Sequence, residues 1–451
     1  MKDAALPTSL DAWLARLEAA HPVGIELGLE RVAEVARRMG LTERPIAGRV
    51  ITVAGTNGKG STVAMLESLA RAHGLTTGVY TSPHLIRYNE RLRLDGTEAD
   101  DATLIAGFEA VEAARLAGEP VSLTYFEVGT LGALWAVARR RPDIALLEVG
   151  LGGRLDAVNV IDPDVAVVTT VAQDHAAFLG NDLEIIGREK AGILRAGRPT
   201  VFGSSTLPAS VRRVAEALDA PVFAIGDAFE RRAMADSADA CWQWRGRDQA
   251  GQAMSLDDLP DPGLPLDNAA TALQALALAG VSLDVVACRK ALASVTLAGR
   301  MQWHGQWCLD VGHNPHAASY LAGRLAALPS KGRTVALLGM LQDKDADGVM
   351  QALSPVIDAW VTVSLAGERA RSAEDLAERL SRHGAAVWHM ASSAISGAAW
   401  LASHLAEDDR VLVCGSFFTV GEVLEWLETS TVASRQESAQ TEGEDTPSEG
   451  T

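Results

Sequence analysis

The chain reads Ile51-Thr-Val-Ala-Gly-Thr-Asn-Gly-Lys-Gly-Ser-Thr62 at the point that decides its fold. A short apolar run enters a glycine-rich turn, and a helical pattern leaves it. The glycines let the backbone curl so that several N–H groups face one oxyanion, and the N-terminus of the helix adds its dipole. Lys59 can reach the β- and γ-phosphates, and Ser61 or Thr62 can offer a hydroxyl group. The stretch therefore predicts a nucleotide phosphate site.

This phosphate loop departs from the standard pattern GxxxxGK[ST] at two positions. Val53 stands where the first glycine would be, and Gly60 stands where the hydroxyl residue would be. The lysine and the strand–helix context still favour a bound nucleotide over an empty glycine-rich turn. The loop alone does not separate a ligase from a GTPase switch, a kinase or a passive nucleotide binder.

Short apolar runs that are interleaved with helical stretches surround the loop. Each run is continuous rather than alternating in polarity, which indicates a parallel sheet covered by helices on both faces. The runs are 50–54, 144–147 and 165–168, and the helical stretches are 63–73 and 129–140. Residues 227–262 break this rhythm, and the alternating segment that starts at Ala240 predicts a small hairpin at an edge.

A second series of strands and helices begins after about residue 297 and predicts an independent three-layer α/β domain. Its expected strands are 307–311, 334–338, 360–364 and 411–414, with helices at 315–328 and 373–383. We expect two domains, 1–296 and 297–428, with a hinge near 295–299. Residues 429–451 have almost no aliphatic side chains and are expected to be a disordered tail.

The composition and net charge argue against several classes of protein. Hydrophobic residues make up 48% of the 451 residues, enough for two domain cores. The net charge is −18, which argues against general nucleic-acid binding, because that needs a basic face. No apolar run reaches the roughly 18 residues of a membrane helix, and the N-terminus lacks the features of a secretory signal. The four cysteines form no CxxC pair, so we expect a reducing compartment, the cytoplasm, and no disulfide framework.

Polar side chains follow several of the predicted strands, at the edge where parallel sheets bind ligands. Glu148 closes one strand, and its carboxylate suits Mg²⁺, which prefers oxygen ligands. His175 follows the next strand, although a loop histidine is more often structural, and Ser82 precedes a proline in what reads as a turn. In the second domain Asp310 ends a strand, and Asn314-Pro315 has the pattern of a helix N-cap and first turn.

These segments together resemble the folylpolyglutamate synthase and dihydrofolate synthase family, within the wider group of Mur ligases. The similarity runs in order from about residue 25 to 421, and one departure is Gly312, where many members carry alanine. The motifs that carry it are GTNGKGST (55–62), SPHLIRYNERLRLDG (82–96), TYFEVGTLGALW (124–135), LEVGLGGRLDAVN (147–159), QDHAAFLG (173–180), GREKAGIL (187–194), AGRMQ (298–302) and DVGHNPHA (310–317).

The resemblance implies a fold of class α/β with two domains and with ATP held between them. The N-terminal domain would be a mostly parallel sheet of the phosphate-loop ATPase type with helices on both faces. The C-terminal domain would be a smaller, Rossmann-like α/β domain that binds glutamate. The nucleotide contacts implied by the resemblance are Thr56, Asn57, Gly58, Lys59, Gly60, Ser61, Thr62, Asn268, Arg300 and Asp310.

The resemblance also assigns metals and catalytic groups. Ser82 and Glu148 look like ligands of one Mg²⁺, and Glu148 with His175 like ligands of a second. Lys190, which composition alone describes as a solvated helix residue, matches the position that carries a carbamate in the family. Lys59, Lys190 and His175 are therefore the expected catalytic residues. In the second domain, His313 and Ser416 are similar to residues placed near the incoming glutamate.

The acid substrate is expected in a pocket that resembles the dihydropteroate site of the bifunctional members of the family. Its candidate residues are Gly24, Ile25, Glu26, Thr124, Phe126, Leu155, Asp156 and Ala157. The expected activity is ATP-dependent ligation of L-glutamate to the carboxylate of dihydropteroate and of reduced folates, through an acyl phosphate. Small molecules are the expected partners, with no nucleic acid and no membrane, and a monomer is the expected state.

Three alternatives stay open on the sequence alone. The first is folylpolyglutamate synthase activity without the dihydropteroate reaction. The second is another ligase of the group, which joins amino acids to a cell-wall nucleotide precursor or to a peptide polymer; an enzyme of the UDP-sugar type would normally have an extra domain before the phosphate loop. The third is a nucleotide-dependent switch, which would hold or hydrolyse ATP without glutamate-dependent phosphate release.

Overall fold

A computed structural model of the protein describes residues 6–20, 26–233, 241–367 and 369–429. The chain divides into two compact units, residues 1–297 and 298–451. Each unit has a sheet with helices packed against it and hydrophobic core clusters of its own. The predicted α/β class is confirmed, with a large, mostly parallel sheet in the first unit.

The main sheet of the first unit places the carboxyl ends of its central strands side by side. Its strands are β1 Arg49–Ala54, β2 Thr77–Tyr80, β3 Leu92–Leu94, β4 Thr97–Glu98, β5 Ile144–Glu148, β6 Val165–Val168, β7 Thr200–Phe202 and β8 Val222–Ala224. Their order is β4-β3-β2-β5-β1-β6-β7-β8, and β1 pairs in parallel with both β5 and β6. The phosphate loop, Glu148 and the segment after β6 therefore begin at the same edge of the sheet.

Helices cover both faces of this sheet. They are α1 Leu10–Ala20, α2 Glu30–Arg38, α3 Lys59–Ala72, α4 Asp101–Leu116, α5 Tyr125–Arg140, α6 Ala176–Leu179, α7 Leu183–Lys190, α8 Ala209–Ala217, α9 Leu266–Leu278 and α10 Val285–Ser294. Ile51 and Val53 of β1 belong to one core cluster, with α3 and α9, whereas Val50 belongs to another, with α1, α4 and α5. A strand buried on both faces explains why its sequence is continuously apolar.

The segment predicted as a small hairpin at an edge does form a hairpin, but it belongs to a separate antiparallel sheet and not to an edge of the main sheet. Its strands are β9 Glu230–Ala233, β10 Trp242–Arg247 and β11 Ala253–Leu259, in the order β11-β10-β9. The alternation in β10 buries Trp242 and Trp244, which join the core around α9. β9 reads Glu-Arg-Arg-Ala and has no apolar alternation, so the sequence did not indicate it.

The second unit is a six-stranded sheet with its own helices. The strands are β12 Gln302–His304, β13 Trp307–Leu309, β14 Thr334–Leu338, β15 Ala359–Val363, β16 Val387–Ala391 and β17 Arg410–Cys414, in the order β12-β13-β17-β14-β15-β16. All pairs are parallel except β12 with β13. The helices are α11 Pro315–Ala327, α12 Ala346–Leu353, α13 Ala373–Arg382, α14 Ala394–Ala402 and α15, which covers residues 417–429.

None of the helices in the described ranges is both long enough and apolar enough to pass through a membrane. The predicted tail, 429–451, lies outside the described residues except for Thr429.

Candidate active site

The phosphate loop connects β1 to α3 and is held by the segment that follows β6. The Asn57 N–H donates to Thr170 Oγ1 at 3.0 Å, and Thr169 Oγ1 donates to the Asn57 carbonyl at 2.7 Å. Lys59 Nζ donates to the carbonyls of Gly55 and Thr56, at 3.0 and 3.2 Å. Since α3 begins at Lys59, the N–H groups of its first turn point towards the loop as well. The loop therefore gathers a cation and a helix N-terminus at one point.

Asn268 of α9 packs against the turn of the loop. Gly58 has a φ of +86°, and a Cβ at this position would lie 2.7 Å from Asn268 Nδ2. The Asn268 amide donates to Ser61 Oγ at 2.8 Å, and the hydroxyls of Ser61 and Thr62 donate to the Gly58 carbonyl at 3.1 and 2.8 Å. Both the backbone conformation and the space thus require glycine at 58. The structure brings these predicted nucleotide contacts together.

Glu148 ends β5 and is only 6% exposed. A Cβ at Gly60 would lie 3.8 Å from both of its carboxylate oxygens, so the side chain reaches the first turn of α3. The Ser82 N–H donates to Glu148 Oε2 at 3.4 Å. Two predicted metal ligands therefore meet beside the phosphate loop, and their oxygen atoms are of the kind that Mg²⁺ prefers.

His175 lies in the segment after β6, with a left-handed φ of +51°. Its N–H donates to Asp174 Oδ1 at 2.8 Å, and its Nε2 is 4.0 Å from Asp174 Oδ2. Within the described ranges, no group of three or more His, Cys, Asp or Glu side chains is placed to hold a metal ion. A pair of ligands is smaller than such a group, so this absence does not bear on the pair His175 and Glu148. Their pairing stays a prediction.

Lys190 is buried, with 4% exposure, although composition described it as solvated. That interpretation is wrong because the end of α7 packs against a glycine: a Cβ at Gly153 would lie 3.0 Å from the Lys190 carbonyl oxygen. Burial, followed by the nearby Lys59 cation, lowers the pKa of Lys190 to about 7, while Asp174 and Asp156 act in the opposite direction. A substantial fraction of this amine is therefore neutral near pH 7.

The residues expected around the acid substrate include a buried carboxylate beside an aromatic ring. Asp156 is 2% exposed and accepts two backbone N–H bonds, at 2.8 and 2.9 Å. Burial raises the pKa of Asp156 to about 6. A Cβ at Gly150 would lie 2.6 Å from Phe126 Cζ and 3.3 Å from Asp156 Oδ2, so the ring and the carboxylate meet at this glycine. Leu155 and Ala157 flank Asp156 in the chain.

Thr124 and Glu26 are connected through a chain of charged contacts. Thr124 caps α5: its Oγ1 accepts the Glu127 N–H at 3.2 Å, and Glu127 Oε2 accepts the Thr124 N–H at 2.7 Å. Arg31 donates to Glu127 Oε1 at 2.8 Å and also pairs with Glu26. The structure thus brings Glu26 towards the N-terminus of α5. The candidates Gly24 and Ile25 lie outside the described residues.

A group of side chains beside this region was not predicted from the sequence. We name it the Arg91 cluster, and it consists of Tyr80, His84, Tyr88, Arg91 and Tyr125. Rings and guanidinium contact one another across the start of α5 and the turn after Ser82. The only available signal was the succession of aromatic and basic residues in the 82–96 motif. Such a succession does not reveal which residues are buried.

In the second unit, Asp310 lies just after β13 and is 7% exposed. It accepts the N–H groups of Met301 and Gly312 at 2.9 and 2.8 Å, which ends the strand two residues before the predicted boundary. Burial raises the pKa of Asp310, and the Arg300 cation acts against this. The Arg300 guanidinium lies over the Phe417 ring, 5.3 Å from its centroid. The two predicted nucleotide contacts of this unit therefore lie close together.

His313 and Ser416 lie on neighbouring loops of the same sheet edge, joined by a hydrogen bond from the Gly415 N–H to the Gly312 carbonyl at 3.1 Å. His313 Nδ1 donates to the Val311 carbonyl at 2.9 Å. Ser416 is buried and its Oγ accepts the Thr419 N–H at 3.0 Å, so it caps α15. Capping explains this serine structurally, and its contact with glutamate stays a prediction. The expected Asn314 cap is confirmed, because its Oδ1 accepts the Ala317 N–H at 3.0 Å.

Comparison with known proteins identifies the family. Residues 53–201 match the Mur ligase middle domain, and residues 299–417 match the Mur ligase glutamate ligase domain. The dihydrofolate synthase/folylpolyglutamate synthase of Escherichia coli is 45% identical over 423 residues, which cover 93% of this chain and 96% of that protein. The protein of the same name from Mycobacterium tuberculosis is 35% identical and covers 78% of this chain and 77% of its own length.

Solved structures show the same similarity in three dimensions. E. coli FolC in complex with DHPP and ADP has a TM-score of 0.87 at 43% identity, covering 94% of this chain and 99% of its own. The bifunctional folylpolyglutamate synthase/dihydrofolate synthase of Yersinia pestis, complexed with AMPPNP and Mn, has a TM-score of 0.85 at 43% identity, covering 93% and 98%. The chain belongs to the dihydrofolate synthase/folylpolyglutamate synthase family of Mur ligases.

Proposed function

We propose that this protein is an ATP-dependent ligase that joins the amine of L-glutamate to the carboxylate of dihydropteroate or of a reduced folate. The observation that carries the proposal is the buried Glu148 carboxylate, which lies beside Gly60 of the phosphate loop and accepts the Ser82 N–H. A carboxylate at the mouth of a phosphate loop suits a nucleotide that arrives with a divalent cation. The acid pocket of the first unit and the glutamate ligase domain would bind the two other substrates.

Relatives with bound ligands support this choice of substrates. E. coli FolC has been solved with DHPP and ADP, and a bifunctional relative has been solved with Mn, AMPPNP and L-glutamate. We therefore assign ATP, Mg²⁺, L-glutamate and a pterin-containing acid to this chain.

The chemistry must activate a poor electrophile. A carboxylate is anionic, and oxide is a poor leaving group, so an amine does not displace it directly. One carboxylate oxygen attacks the γ-phosphorus of ATP; an O–P bond forms, the bond to the β-phosphate oxygen breaks, and ADP leaves. The glutamate amine then attacks the acyl carbon, inorganic phosphate leaves, and the new amide nitrogen loses a proton. Negative charge on the phosphoryl oxygens has to be stabilised in the first step.

Lys59 and the first turn of α3 perform that stabilisation in our proposal. The Lys59 ammonium is held at the loop by the carbonyls of Gly55 and Thr56. The backbone N–H groups of the loop and the helix dipole point to the same place. The Asn268 amide donates to Ser61 and so stabilises the conformation of the turn. Asn268 therefore acts on nucleotide binding indirectly, as a positioning residue.

The residues at this edge of the sheet fit a magnesium ion. Ser82 and Glu148 would hold one ion, and Glu148 with His175 would hold a second. When bound, Mg²⁺ would supply positive charge that stabilises the negative charge of the phosphoryl group. The chain's own contribution is to keep the Glu148 carboxylate at the loop, which the Ser82 N–H does from one side.

Lys190 is assigned the carbamate that the family resemblance suggests. A neutral amine attacks CO2, an N–C bond forms as one C=O π bond opens onto oxygen, and the nitrogen releases a proton, so the neutral amine becomes an anionic carbamate. The lowered pKa of Lys190, which follows from burial and from the Lys59 cation, favours this reaction because it leaves the amine neutral. In the second unit, we assign Arg300 and Asp310 to the nucleotide and His313 and Ser416 to glutamate.

A direct assay tests the proposed function. Purified protein receives ATP, Mg²⁺ and L-glutamate with either dihydropteroate or tetrahydrofolate, and mass spectrometry follows the products. We expect each acid to gain one glutamyl unit, with one ADP and one phosphate released per amide. A product with tetrahydrofolate alone would restrict the activity to folylpolyglutamate synthesis. No amide with either acid would overturn the proposal.

Lys59→Ala provides the control for the loop. The Lys59 ammonium donates to the backbone carbonyls of Gly55 and Thr56, and its removal leaves the core intact, so the fold should remain and the thermal transition should be close to wild type. Turnover with both acids should be lost, because the phosphoryl charge is no longer neutralised. Ligation at the wild-type rate would show that the loop does not bind the transferred phosphate.

A further inference from the structure

The phosphate loop is held by the segment after β6 beyond the point where the two strands end. The last pair of residues in the β1–β6 ladder is Ala54 with Val168. Past this pair, the Thr169 N–H donates to the Ala54 carbonyl at 2.9 Å, and the Thr56 N–H donates to the Thr170 carbonyl at 2.8 Å. Backbone hydrogen bonding between the two segments therefore continues into the loop.

Two threonine hydroxyls add to this pairing. Thr56 Oγ1 accepts the Ala172 N–H at 3.0 Å and donates to the Ala172 carbonyl at 3.1 Å. Thr170 Oγ1 accepts the Asn57 N–H and donates to the Asn57 carbonyl, both at 3.0 Å. A hydroxyl can make both bonds, because it has one O–H donor and two lone pairs. Each segment thus binds both backbone groups of one residue in the other segment.

The Asn57 carbonyl accepts a second hydroxyl. Thr169 Oγ1 donates to it at 2.7 Å, and Thr169 is 0% exposed. A Cβ at Gly55 would overlap this hydroxyl, so the absence of a side chain at Gly55 lets Thr169 approach the loop. A carbonyl oxygen has two lone pairs, so it can accept from Thr169 and Thr170 together. The Asn57 carbonyl is therefore directed at the segment after β6.

The direction of this carbonyl determines where the next N–H group points. The Asn57–Gly58 peptide bond is trans, so its C=O and its N–H point in opposite directions. Because Thr169 and Thr170 hold the carbonyl, the Gly58 N–H is turned away from them. A phosphate loop binds its anion through backbone N–H groups, and a carbonyl oxygen in their place would repel the phosphate. The orientation of this one peptide therefore affects nucleotide binding.

The backbone by itself does not fix that orientation. A flip of the Asn57–Gly58 peptide changes ψ of Asn57 and φ of Gly58. Gly58 has a φ of +86°, and glycine adopts positive and negative φ values about equally readily. Residue 58 therefore offers little resistance to a flip. The hydrogen bonds from Thr169 and Thr170 do oppose it, because a flip would withdraw the carbonyl from both hydroxyls.

We propose that Thr169 and Thr170 are positioning residues, which hold the Asn57–Gly58 peptide with its N–H directed at the nucleotide phosphate. Neither was among the site residues expected from the sequence. In this proposal the two threonines act through the peptide and do not contact the phosphate themselves. The inference rests on the proposed function, because it requires a nucleotide at the loop.

The test compares the double variant Thr169→Val/Thr170→Val with Thr169→Ser/Thr170→Ser. Valine keeps the branched shape and removes the hydroxyl, whereas serine keeps the hydroxyl. Calorimetric titration of the full chain with ADP in saturating Mg²⁺ measures the affinity. The double valine variant should bind ADP about 10- to 100-fold more weakly, which is the usual cost of losing a hydrogen bond to a charged group. The double serine variant should bind ADP with nearly wild-type affinity.

Steady-state kinetics provide a second measurement. In the double valine variant, the KM of ATP should rise by about the same factor as the Kd of ADP. The KM values of dihydropteroate and L-glutamate should stay unchanged, because neither substrate depends on the orientation of this peptide.

An unchanged ADP affinity in the double valine variant would overturn the inference. An equal loss in the double serine variant, or KM values that rise for all three substrates, would also overturn it, because either result indicates a purely structural role. A wild-type protein that binds ADP but forms no amide would refute the proposed ligase function and leave this inference intact. A wild-type protein that does not bind ADP would refute both.

Thr362→Val is the matched control. Thr362 lies in β15 of the second unit, is 0% exposed, and donates through Oγ1 to the Ala373 carbonyl at 2.9 Å. The substitution therefore removes a buried hydroxyl-to-carbonyl bond of the same kind as that of Thr169. We expect a lower temperature of unfolding together with wild-type ADP affinity. A loss of ADP affinity as large as in the double valine variant would attribute the effect to stability and overturn the inference.

Thermal unfolding of every variant verifies that the folded state is retained. If the double valine variant does not fold, Thr170→Val carries the test, with Thr170→Ser as its partner. Thr170→Val should weaken ADP binding in the same direction but by less, because the Thr169 hydroxyl still holds the Asn57 carbonyl. Equal ADP affinity in these two single variants would overturn the inference.

Discussion

Lys190 combines deep burial with a proposed chemical role, carbamate formation, that depends on its amine. Replacement by arginine keeps a positive charge but cannot form a carbamate, because a guanidinium does not add CO2 in this way. We expect ligation to fall by about 10- to 100-fold or more, the usual cost of removing a group that supports a metal site. Steady-state rates measure this effect, and a ¹³C carbamate signal from labelled CO2 should appear in the wild type only. Full activity of Lys190→Arg would remove the residue from the site.

Asp156 is predicted to produce a pH dependence of stability. Burial raises its pKa from 3.8 to about 6, so the folded state binds more protons than the unfolded chain between these values. Stability contributed by the protonated carboxyl is therefore complete below about pH 4 and is lost as the pH rises through 6. Asp156→Asn does not titrate, so its free energy of unfolding should fall less than that of the wild type between pH 4 and 7.

Chemical denaturation at several pH values measures this difference. The two proteins are compared by how steeply the free energy of unfolding changes with pH. Its absolute value is unsuitable, because the asparagine also loses one of the two oxygen acceptors for the backbone N–H groups. Parallel pH profiles of the two proteins would show that Asp156 does not carry a raised pKa.

At the scale of one element, the helix α3 has a left-handed glycine at each end. Gly58 precedes it with φ +86°, and Gly74 follows it with φ +78°. Alanine at either position adopts a conformation that costs about 1–2 kcal/mol. Only at Gly58 would the new Cβ meet another side chain, 2.7 Å from Asn268 Nδ2, whereas nothing lies within 4 Å at Gly74.

Gly58→Ala should therefore lose nucleotide binding, and Gly74→Ala should not. Both variants should show a similar decrease in the free energy of unfolding, so stability alone cannot account for a difference in binding. Fluorescence titration with a labelled adenine nucleotide measures the affinity. Equal nucleotide affinity in the two variants would mean that the contact between Gly58 and Asn268 does not shape the site.

At the scale of the whole molecule, each unit has to bury a hydrophobic core of its own. β17 lies between β13 and β14, at the centre of the second sheet, and Leu412 and Cys414 belong to the core cluster of that unit. The tail after Thr429 has almost no aliphatic side chains. A chain that ends at Thr429 should therefore keep its fold and its ligase rate, because no core strand is removed.

A chain that ends at Asp409 is the matched comparison. It loses β17, which leaves β13 and β14 without their shared partner, and the second unit should not unfold cooperatively. Circular dichroism during heating and the ligation assay measure both chains. A clear loss of activity on removal of the tail alone would contradict the prediction.

Much of the architecture was predictable because it depends on local patterns. The apolar runs of β1, β5 and β6 matched the observed strands within a residue, since strands buried on both faces have continuously apolar sequences. The edge strand β16 was missed because its residues are only partly buried and show no such run. The domain limits and the roles of individual site residues stay predictions, although the structure places many of these residues beside one another.

The sequence by itself determined the α/β class, the central strands β1, β5 and β6, the phosphate loop and the membership of a ligase family, because these depend on patterns along the chain. Only the tertiary structure decided that Lys190 is buried, that Asp156 lies against Phe126 and that the Arg91 guanidinium lies over the Tyr125 ring. Solvation and pairing of a charge depend on residues that are distant in sequence and close in space, and periodicity contains no information about them.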